Sequence, residues 1–271
     1  MSALELRDVR GPSALGGGWR RSLDLLVLIA VNEFRRSYLG TALGYLWSIA
    51  RPLMLFAVLL VVFTQAFNLG DRVHQYPVLL LFNIVVFGFF QEATTQAVGS
   101  IVSQESVVRK TQFPRLVIPL AVVLTSVFNL GVNLVVVLAF VLAFGVTPMW
   151  TWLLFPLLLV ALFAFTTAVA TILSALYPRF RDTAIIWGVT VTALFYATPV
   201  LYPIDIVSGT LRDVISLNPL TPLFTLARKW VIDPSAPGPD AWVVPVAVFV
   251  ALCVLAVWIF DREAPRIAEE L

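Results

Sequence analysis

Residues 118–144 read IPLAVVLTSVFNLGVNLVVVLAFVLAF, a run that contains no Asp, Glu, Lys or Arg. A helix needs about 20 mostly apolar residues to cross the hydrocarbon core of a bilayer. A strand of a membrane barrel would be about 10 residues long and would alternate in polarity, which this run does not. The stretch therefore predicts a transmembrane helix and an all-α membrane fold.

The chain as a whole is also rich in hydrophobic residues and poor in charged ones. Of its 271 residues 60% are hydrophobic and 13% are charged, whereas a globular domain is about half apolar and a quarter charged. We expect helices throughout the bilayer, because irregular backbone in lipid leaves polar groups unpaired at several kcal/mol each. The six predicted spans are 53–70, 78–100, 118–144, 151–176, 184–201 and 241–260.

The cations divide unevenly between the two sides that six spans define. Fourteen lie in the amino-terminal segment, the loops after the second and fourth spans, and the tail; four lie in the remaining loops. Cytoplasmic loops of membrane proteins carry an excess of Lys and Arg. The distribution predicts that both termini are cytoplasmic.

Two regions beside the spans are predicted to be short helices. Residues 20–36 hold a short apolar stretch between two arginine pairs, which is typical of an amphipathic helix in the cytoplasmic interface; a re-entrant segment is the alternative. Region 203–240 holds most of the turn residues and two amphipathic stretches. There we expect two short helices that lie at, or dip into, the outer leaflet.

Several kinds of chemistry are missing from the sequence. It has no G-x-x-x-x-G-K-[ST] phosphate loop, and one histidine cannot form a His-x-x-x-His pair. The single cysteine, Cys253, excludes an intrachain disulfide and a thiolate metal site. We expect no catalytic residue, cofactor or metal in this chain, so a nucleotide that drives transport would be bound by another chain.

Polar residues inside the predicted spans leave two interpretations open. Glu92 is an ionisable group in a span, which is by default a marker of an ion pathway, or it bonds to polar neighbours on an adjacent helix. Thr125, Asn129 and Asn133 are spaced by four and share one helix face. Such a stripe either packs helices together or faces a water-filled path.

The loop between the second and third spans predicts a short helix at 103–112. Ser103 is a candidate N-cap, and Pro114 ends the helix because the residue before a proline is pushed out of the helical region. A stiff helix outside the bilayer can transmit force to a soluble partner. Alternatively, the loop's cations only set the topology.

Five motifs resemble one family, in its expected order over residues 30 to 260. The sequence Phe113-Pro114-Arg115 before a long apolar span resembles the membrane subunits of ABC transporters of the ABC-2 type, and more narrowly their polysaccharide export branch (O-antigen, teichoic acid and galactan-like glycans). The further motifs are RRSYLG…LGYLW…RPL at 35–53, YPRFRD at 177–182, ATPVLYP at 197–203 and LNPLTP at 217–222.

The resemblance implies a single transmembrane domain over 1–271 in the bacterial plasma membrane. The chain would form a homodimer among membrane lipids, with two copies of a separate ATPase that binds ATP and Mg. It would export a lipid-linked glycan and bind no nucleic acid. Contacts with the ATPase would come from helix 103–112, with further contacts from loop 177–183 and interface helix 20–36. The implied coupling residues are Gln104, Glu105, Val108, Arg109, Lys110, Phe113, Arg179, Arg181 and Asp182.

The resemblance also implies a translocation path along the dimer interface, lined chiefly by spans one and five. Sugar rings stack on aromatic side chains, and the polar groups of Tyr and Trp form hydrogen bonds with sugar hydroxyls. The alternative is an anchoring belt at the membrane surface. The candidate path residues are Phe56, Phe63, Phe67, Trp187, Phe195, Tyr196 and Tyr202.

Two other functions are compatible with six spans. A drug or small-lipid exporter would share the architecture, although the order of the motifs favours glycan export. An ion-coupled carrier without an ATPase is disfavoured, because Glu92 is the one clear ionisable residue inside a predicted span.

Overall fold

The described part of the protein consists of helices and short connections. The computed structural model describes residues 26–31, 44, 46–104 and 116–270, with side chains up to residue 262. No strand occurs in these ranges. The prediction of an all-α chain is confirmed.

The helices follow one another with few intervening residues, and two 3-10 turns precede α7 and α9, at Trp150–Leu154 and Ile204–Ile206. In chain order the helices are α1 (26–31), α2 (Leu46–Gln65), α3 (Leu69–Arg72), α4 (Tyr76–Val98), α5 (Ser100–Ser103), α6 (Val117–Ala143), α7 (Phe155–Leu176), α8 (Thr183–Ala197), α9 (Thr210–Ser216), α10 (Thr221–Val231) and α11 (Val243–Glu270).

Five helical segments are long and apolar enough to cross a bilayer, with mean hydropathies from 1.6 to 2.9. They are α2, α4, α6, α7 with the turn before it, and α11. The first begins at Leu46 rather than at residue 53 and ends at Gln65 rather than at 70. Pro52 lies inside this helix, so its missing N–H removes one backbone hydrogen bond without ending the helix.

The predicted span 184–201 is only partly helical. Helix α8 has 15 residues, fewer than the roughly 20 that a spanning helix needs. It runs antiparallel to α4: the Trp187 indole lies 3.1 Å from the Thr94 hydroxyl, and the Phe195 ring lies 5.3 Å from that of Phe87. The helix then ends at Ala197.

A non-helical segment, 198–202, continues along the same helix. Its Val200 carbonyl is 3.0 Å from the Asn83 amide, and its Leu201 carbonyl is 2.9 Å from the Tyr76 hydroxyl. Together α8 and this segment accompany α4 from residue 94 to residue 76, about 27 Å at 1.5 Å per residue. That length is close to the roughly 30 Å of a bilayer core.

Helix α4 is the centre of the bundle. In its most apolar window 78% of the residues are buried within the chain, against 6% for α2 and 17% for α11. It packs against α2, α6, α7 and α8, while α11 packs on α7. Large side chains such as Phe82, Phe87 and Phe90 are almost fully buried along it. The other apolar helices are arranged around this one.

A second, smaller cluster joins the ends of four helices. Ile101, Ile118, Ala175 and Phe260 pack together, one each from α5, α6, α7 and α11. The turn 177–182 and the beginning of α6 therefore lie at one end of the bundle, here called the α5 end. The last turns of α11 lie at the same end.

The two short helices predicted in 203–240 are present as α9 and α10. Helix α10 is nearly surrounded, with Phe224 and Ala227 buried. The Phe224 ring lies 6.3 Å from that of Phe87, which is 11 residues, or about 16 Å, from the start of α4. A side chain of α10 thus reaches the middle of the bundle.

Only residues 26–31 of the predicted interface helix 20–36 are described, and they are helical. Ala30 is fully buried, and its carbonyl accepts a hydrogen bond of 3.2 Å from the Thr125 hydroxyl. Thr125 is eight residues, about 12 Å, from the start of α6. This turn therefore packs against the side of a long apolar helix.

Candidate translocation path and partner-contact surface

The first predicted coupling element is described only at its beginning. Ser103 is the last residue of α5, and its hydroxyl donates to the Ser100 carbonyl at 2.9 Å. The predicted helix that Ser103 would cap lies outside the described residues beyond Gln104. Gln104 follows as a half-buried turn residue. The predicted coupling residues outside the described ranges are Glu105, Val108, Arg109, Lys110 and Phe113.

The second coupling element is a tight turn with exposed charges. Arg179, Arg181 and Asp182 are exposed. The Arg179 guanidinium lies 5.3 Å from the Phe180 ring, and that of Arg181 lies 5.0 Å from the Tyr177 ring. Cation–π contacts of this kind hold a guanidinium without neutralising its charge. In the described ranges neither arginine has an ionic partner, so both can pair with acidic groups of another chain.

The two coupling elements are neighbours. A Cβ atom at Gly99, the residue before α5, would lie 3.9 Å from the Tyr177 ring. Ile101 and Ala175 also share one cluster. Residues that are far apart in the sequence therefore form one surface at the α5 end.

Helices α2 and α8, predicted to line the path, are also the most open. In α2 only Phe56 is buried, and in α8 only Val191. Exposed residues on α8 include Ile185, Ile186 and Val189. Apolar surface of this extent is covered by lipid or by another protein.

The predicted path aromatics of the first span separate into buried and exposed residues. Phe56 is 7% exposed, and its ring packs edge-on against Phe140 at 5.5 Å. It therefore lies inside the chain and not on the open surface. Phe63 and Phe67 stack at 5.2 Å, and Phe67 is 54% exposed.

The aromatics of the fifth span separate in the same way. Trp187 donates to Thr94, and Phe195 packs edge-on against Phe87, so both fasten α8 to α4. Tyr196 is 60% exposed. Its carbonyl accepts a hydrogen bond of 3.0 Å from the Tyr202 hydroxyl. Of the neighbouring residues Phe195 and Tyr196, Tyr196 is the one on the open surface.

Three polar residues that the sequence analysis did not select hold the non-helical segment after α8. Asn83 donates to the carbonyls of Pro199 and Val200. Tyr76 donates to the Leu201 carbonyl, and Asn218 donates to the Thr198 hydroxyl at 2.9 Å. Non-helical backbone at membrane depth requires such partners. The available signal was an asparagine in the apolar run VLLLFNIVVFGFF.

The polar groups that left two interpretations open are hydrogen-bonded within the chain, and some of these bonds join different helices. The Glu92 carboxylate accepts hydrogen bonds from Asn129 at 2.5 Å and from Gln96 at 3.3 Å. Thr125 donates to Ala30, and Asn133 donates to the Asn129 carbonyl. These contacts favour helix packing over an ion pathway for this stripe.

Ion pairs hold the short helices at the other end. Arg228 of α10 lies 2.6 Å from Asp205 and 3.7 Å from Asp233. Arg212 of α9 lies 2.7 Å from Asp240, and this hydrogen bond raises the pKa of Arg212. The two arginines tie α9 and α10 to the connections around them.

No metal centre emerges from the part of the chain that the structure describes. His, Cys, Asp and Glu side chains there form no group of three that could hold a metal ion. The features available for function are thus surfaces: the open faces of α2 and α8, and the charged turn at the α5 end.

Comparison with known proteins identifies the family. Residues 24–231 match the family described as ABC-2 type transporter. The chain is 28% identical to the O-antigen export system permease protein RfbA of Myxococcus xanthus over 253 residues, 91% of this chain and 95% of the relative. It is 30% identical to the RfbA permease of Klebsiella pneumoniae over 198 residues, 73% and 76% of the two chains. With a match over most of its length, the chain belongs to the ABC-2 type transporter family.

Proposed function

We propose that the chain is the membrane permease subunit of an ATP-driven exporter that moves a lipid-linked cell-envelope polysaccharide out of the cytoplasm. The observation that carries the proposal is the similarity to a permease named for O-antigen export over 91% of the chain. The helical bundle supports it, since five segments suit a bilayer crossing.

Six spans with both termini in the cytoplasm form part of the proposal. Helix α8 with the segment 198–202 accompanies α4 for about 27 Å and serves as the additional span, its free carbonyls held by Asn83 and Tyr76. The α5 end then faces the cytoplasm, in agreement with the excess of cations predicted there. Helix α10 re-enters the outer half of the bilayer.

The permease works as a homodimer in the plasma membrane, with the path between its two copies. The open faces of α2 and α8 support this arrangement, because they are the predicted lining helices and are scarcely buried within one chain. Of the predicted path aromatics, Phe67, just after α2, and Tyr196 of α8 are exposed. Their rings would stack on sugars while the Tyr196 hydroxyl bonds to sugar hydroxyls.

A separate ATPase binds ATP and Mg and docks on the α5 end. Gln104, Arg179, Arg181 and Asp182 are the described residues of that surface. ATP shifts the permease between states only if the docked ATPase favours one of them. The adjacency of both coupling elements supports a single docking area, which would move α4, α5 and α7 together.

Copurification and reconstitution test this function. The permease would be coexpressed with the ABC ATPase of its gene neighbourhood, and the pair placed in vesicles with lipid-linked glycan from the host. We expect ATP-dependent transfer of glycan across the bilayer, abolished when the Walker-A lysine of the ATPase is replaced.

Three outcomes would contradict the proposal. Transfer by the permease without an ATPase would indicate a carrier, for which the engagement of Glu92 by Asn129 and Gln96 gives no support. ATP-dependent transfer of a dye or of unglycosylated lipid, with no transfer of glycan, would indicate a drug or lipid exporter. Failure of any ATPase to copurify would remove the energy source.

A further inference from the structure

The half of α4 next to the α5 end carries an exposed polar strip. From Tyr76 to Phe87 the helix is buried almost all round. Beyond that point Gly88 is half-buried, and Gln91 and Thr95 are exposed. Spacings of three and four place these three residues on one helix face. Gln96 is exposed as well, but its amide donates to Glu92. The line through Gly88, Gln91 and Thr95 is here called the strip.

The polar side chains of the strip form no hydrogen bonds with the described part of the chain. Neither Gln91 nor Thr95 has a side-chain hydrogen-bond partner among the described residues. The neighbouring Thr94 differs, because its hydroxyl donates to the Phe90 carbonyl at 2.7 Å. A Cβ atom at Gly88 would meet no other atom within 4 Å. Among the described residues, the space beside Gly88 is therefore open.

The strip lies between two contacts of α4 with its neighbours. On one side of the strip Thr94 accepts a hydrogen bond from Trp187 of α8. On the other side Glu92 accepts a hydrogen bond from Asn129 of α6. The strip is thus flanked by α8 and α6, and the space above it is here called the groove.

Hydrocarbon chains are an unfavourable occupant of this groove, because amide and hydroxyl groups in lipid have no hydrogen-bond partners. The Gln91 amide offers donors and an acceptor, and the Thr95 hydroxyl offers both. Neither residue is charged, and Gly88 leaves room beside them. The groove therefore suits a neutral, hydroxyl-rich molecule together with water.

We propose that Gln91 and Thr95 are glycan-contacting residues, which makes α4 a third lining helix of the path. Their hydrogen bonds to sugar hydroxyls complement stacking on the exposed aromatics of α8. This inference rests on the proposed function and adds a determinant of selectivity: the strip favours hydroxylated cargo over apolar drugs.

Thiol accessibility tests the location of the strip. In a Cys253→Ala background, the permease–ATPase complex in inside-out vesicles would carry Thr95→Cys or, as control, Val257→Cys on α11, which is 63% exposed. The probe is a membrane-impermeant cationic methanethiosulfonate. We expect the thiol at 95 to react at least about tenfold faster, because only the thiolate reacts and apolar surroundings suppress it.

Lipid-linked glycan, added with the ATPase arrested, should slow the reaction of the thiol at 95. Equal, slow reaction at 95 and 257 would overturn the inference, since lipid or a partner copy would then cover the strip. Fast reaction that glycan leaves unchanged would also overturn it, because the groove would be wet but off the path.

Export by polar-to-apolar variants separates this inference from the proposed function. We expect Gln91→Leu combined with Thr95→Val to lower glycan export about five- to tenfold, the effect of losing a net hydrogen bond or more. The control is Thr210→Val, an exposed threonine at the start of α9, which is not one of the proposed lining helices and should export normally. Unchanged export by the double variant would overturn the strip's role alone, whereas absent glycan export by the unsubstituted protein would overturn the proposed function.

Discussion

Helices α4 and α8 lie side by side, but their backbone hydrogen-bonding groups at membrane depth are paired in different ways. Helix α4 is regular over 23 residues, and most of it is buried, so its backbone groups are paired internally. Helix α8 stops after 15 residues and keeps one buried residue. The segment 198–202, which follows α8, accepts hydrogen bonds from Tyr76 and Asn83 of α4. The comparison shows that the central helix holds the non-helical continuation of its neighbour through polar side chains.

The largest effect is expected from Asn83→Leu. It leaves the carbonyls of Pro199 and Val200 without this donor at membrane depth, which should cost about 2–4 kcal/mol. The Asn83 Oδ1 atom has no partner among the described residues, so no acceptor contact is lost. The measurement is the thermal stability of the detergent-solubilised permease.

The matched control is Asn133→Leu. Asn133 donates to the carbonyl of Asn129, which lies inside a regular helix whose carbonyls also accept backbone N–H groups. This variant should stay close to the parent protein. Equal losses in both variants would mean that the segment 198–202 does not depend on α4.

Tyr76→Phe should have an intermediate effect. It removes one hydroxyl and leaves the Leu201 carbonyl without its donor, at a cost of about 1–2 kcal/mol. Combined with Asn83→Leu, its effect should be less than additive, because both hold the same segment. A double-mutant cycle measured by thermal unfolding would show the coupling, and strict additivity would argue for two independent anchors.

Trp187→Phe should cost about 1 kcal/mol, since it keeps the ring near Phe90 and removes only the hydrogen bond to Thr94. The affected contact is at the opposite end of α8 from the segment 198–202. Crosslinking between cysteines placed on α4 and α8 would report the loosening. An unchanged crosslinking rate together with lost stability would assign the tryptophan a role elsewhere.

The smallest effect on stability is expected from Tyr196→Leu. The side chain is exposed, and the Tyr202 hydroxyl binds the backbone carbonyl of this residue, so stability should change by less than about 0.5 kcal/mol. Glycan export should nevertheless fall. Normal export would remove the aromatic from the path, and a large loss of stability would show that it packs against the partner copy.

Sequence reasoning reached the elements with the clearest patterns. The apolar runs, the two short helices in 203–240 and the charged turn at 177–182 follow from hydropathy, turn residues and charge. It did not predict that Phe67 and Tyr196 are exposed while Phe56 and Phe195 pack inside the chain. The sequence of an apolar helix does not show which face an aromatic residue occupies. It also did not select Tyr76 or Asn83 as anchors of the segment 198–202, since their partners are more than 100 residues away in the chain.

By itself, the sequence determined that the chain is helical and that it belongs in lipid, because both depend on composition and on the length of the apolar runs. Only the tertiary structure decided that α4 is central, that α8 ends early beside it, and that Gln91 and Thr95 face an open groove. In a chain where nearly every helix is apolar all round, hydropathy carries little information about which face is buried. The packing of side chains, and the pairing of the few polar groups among them, supplies that information.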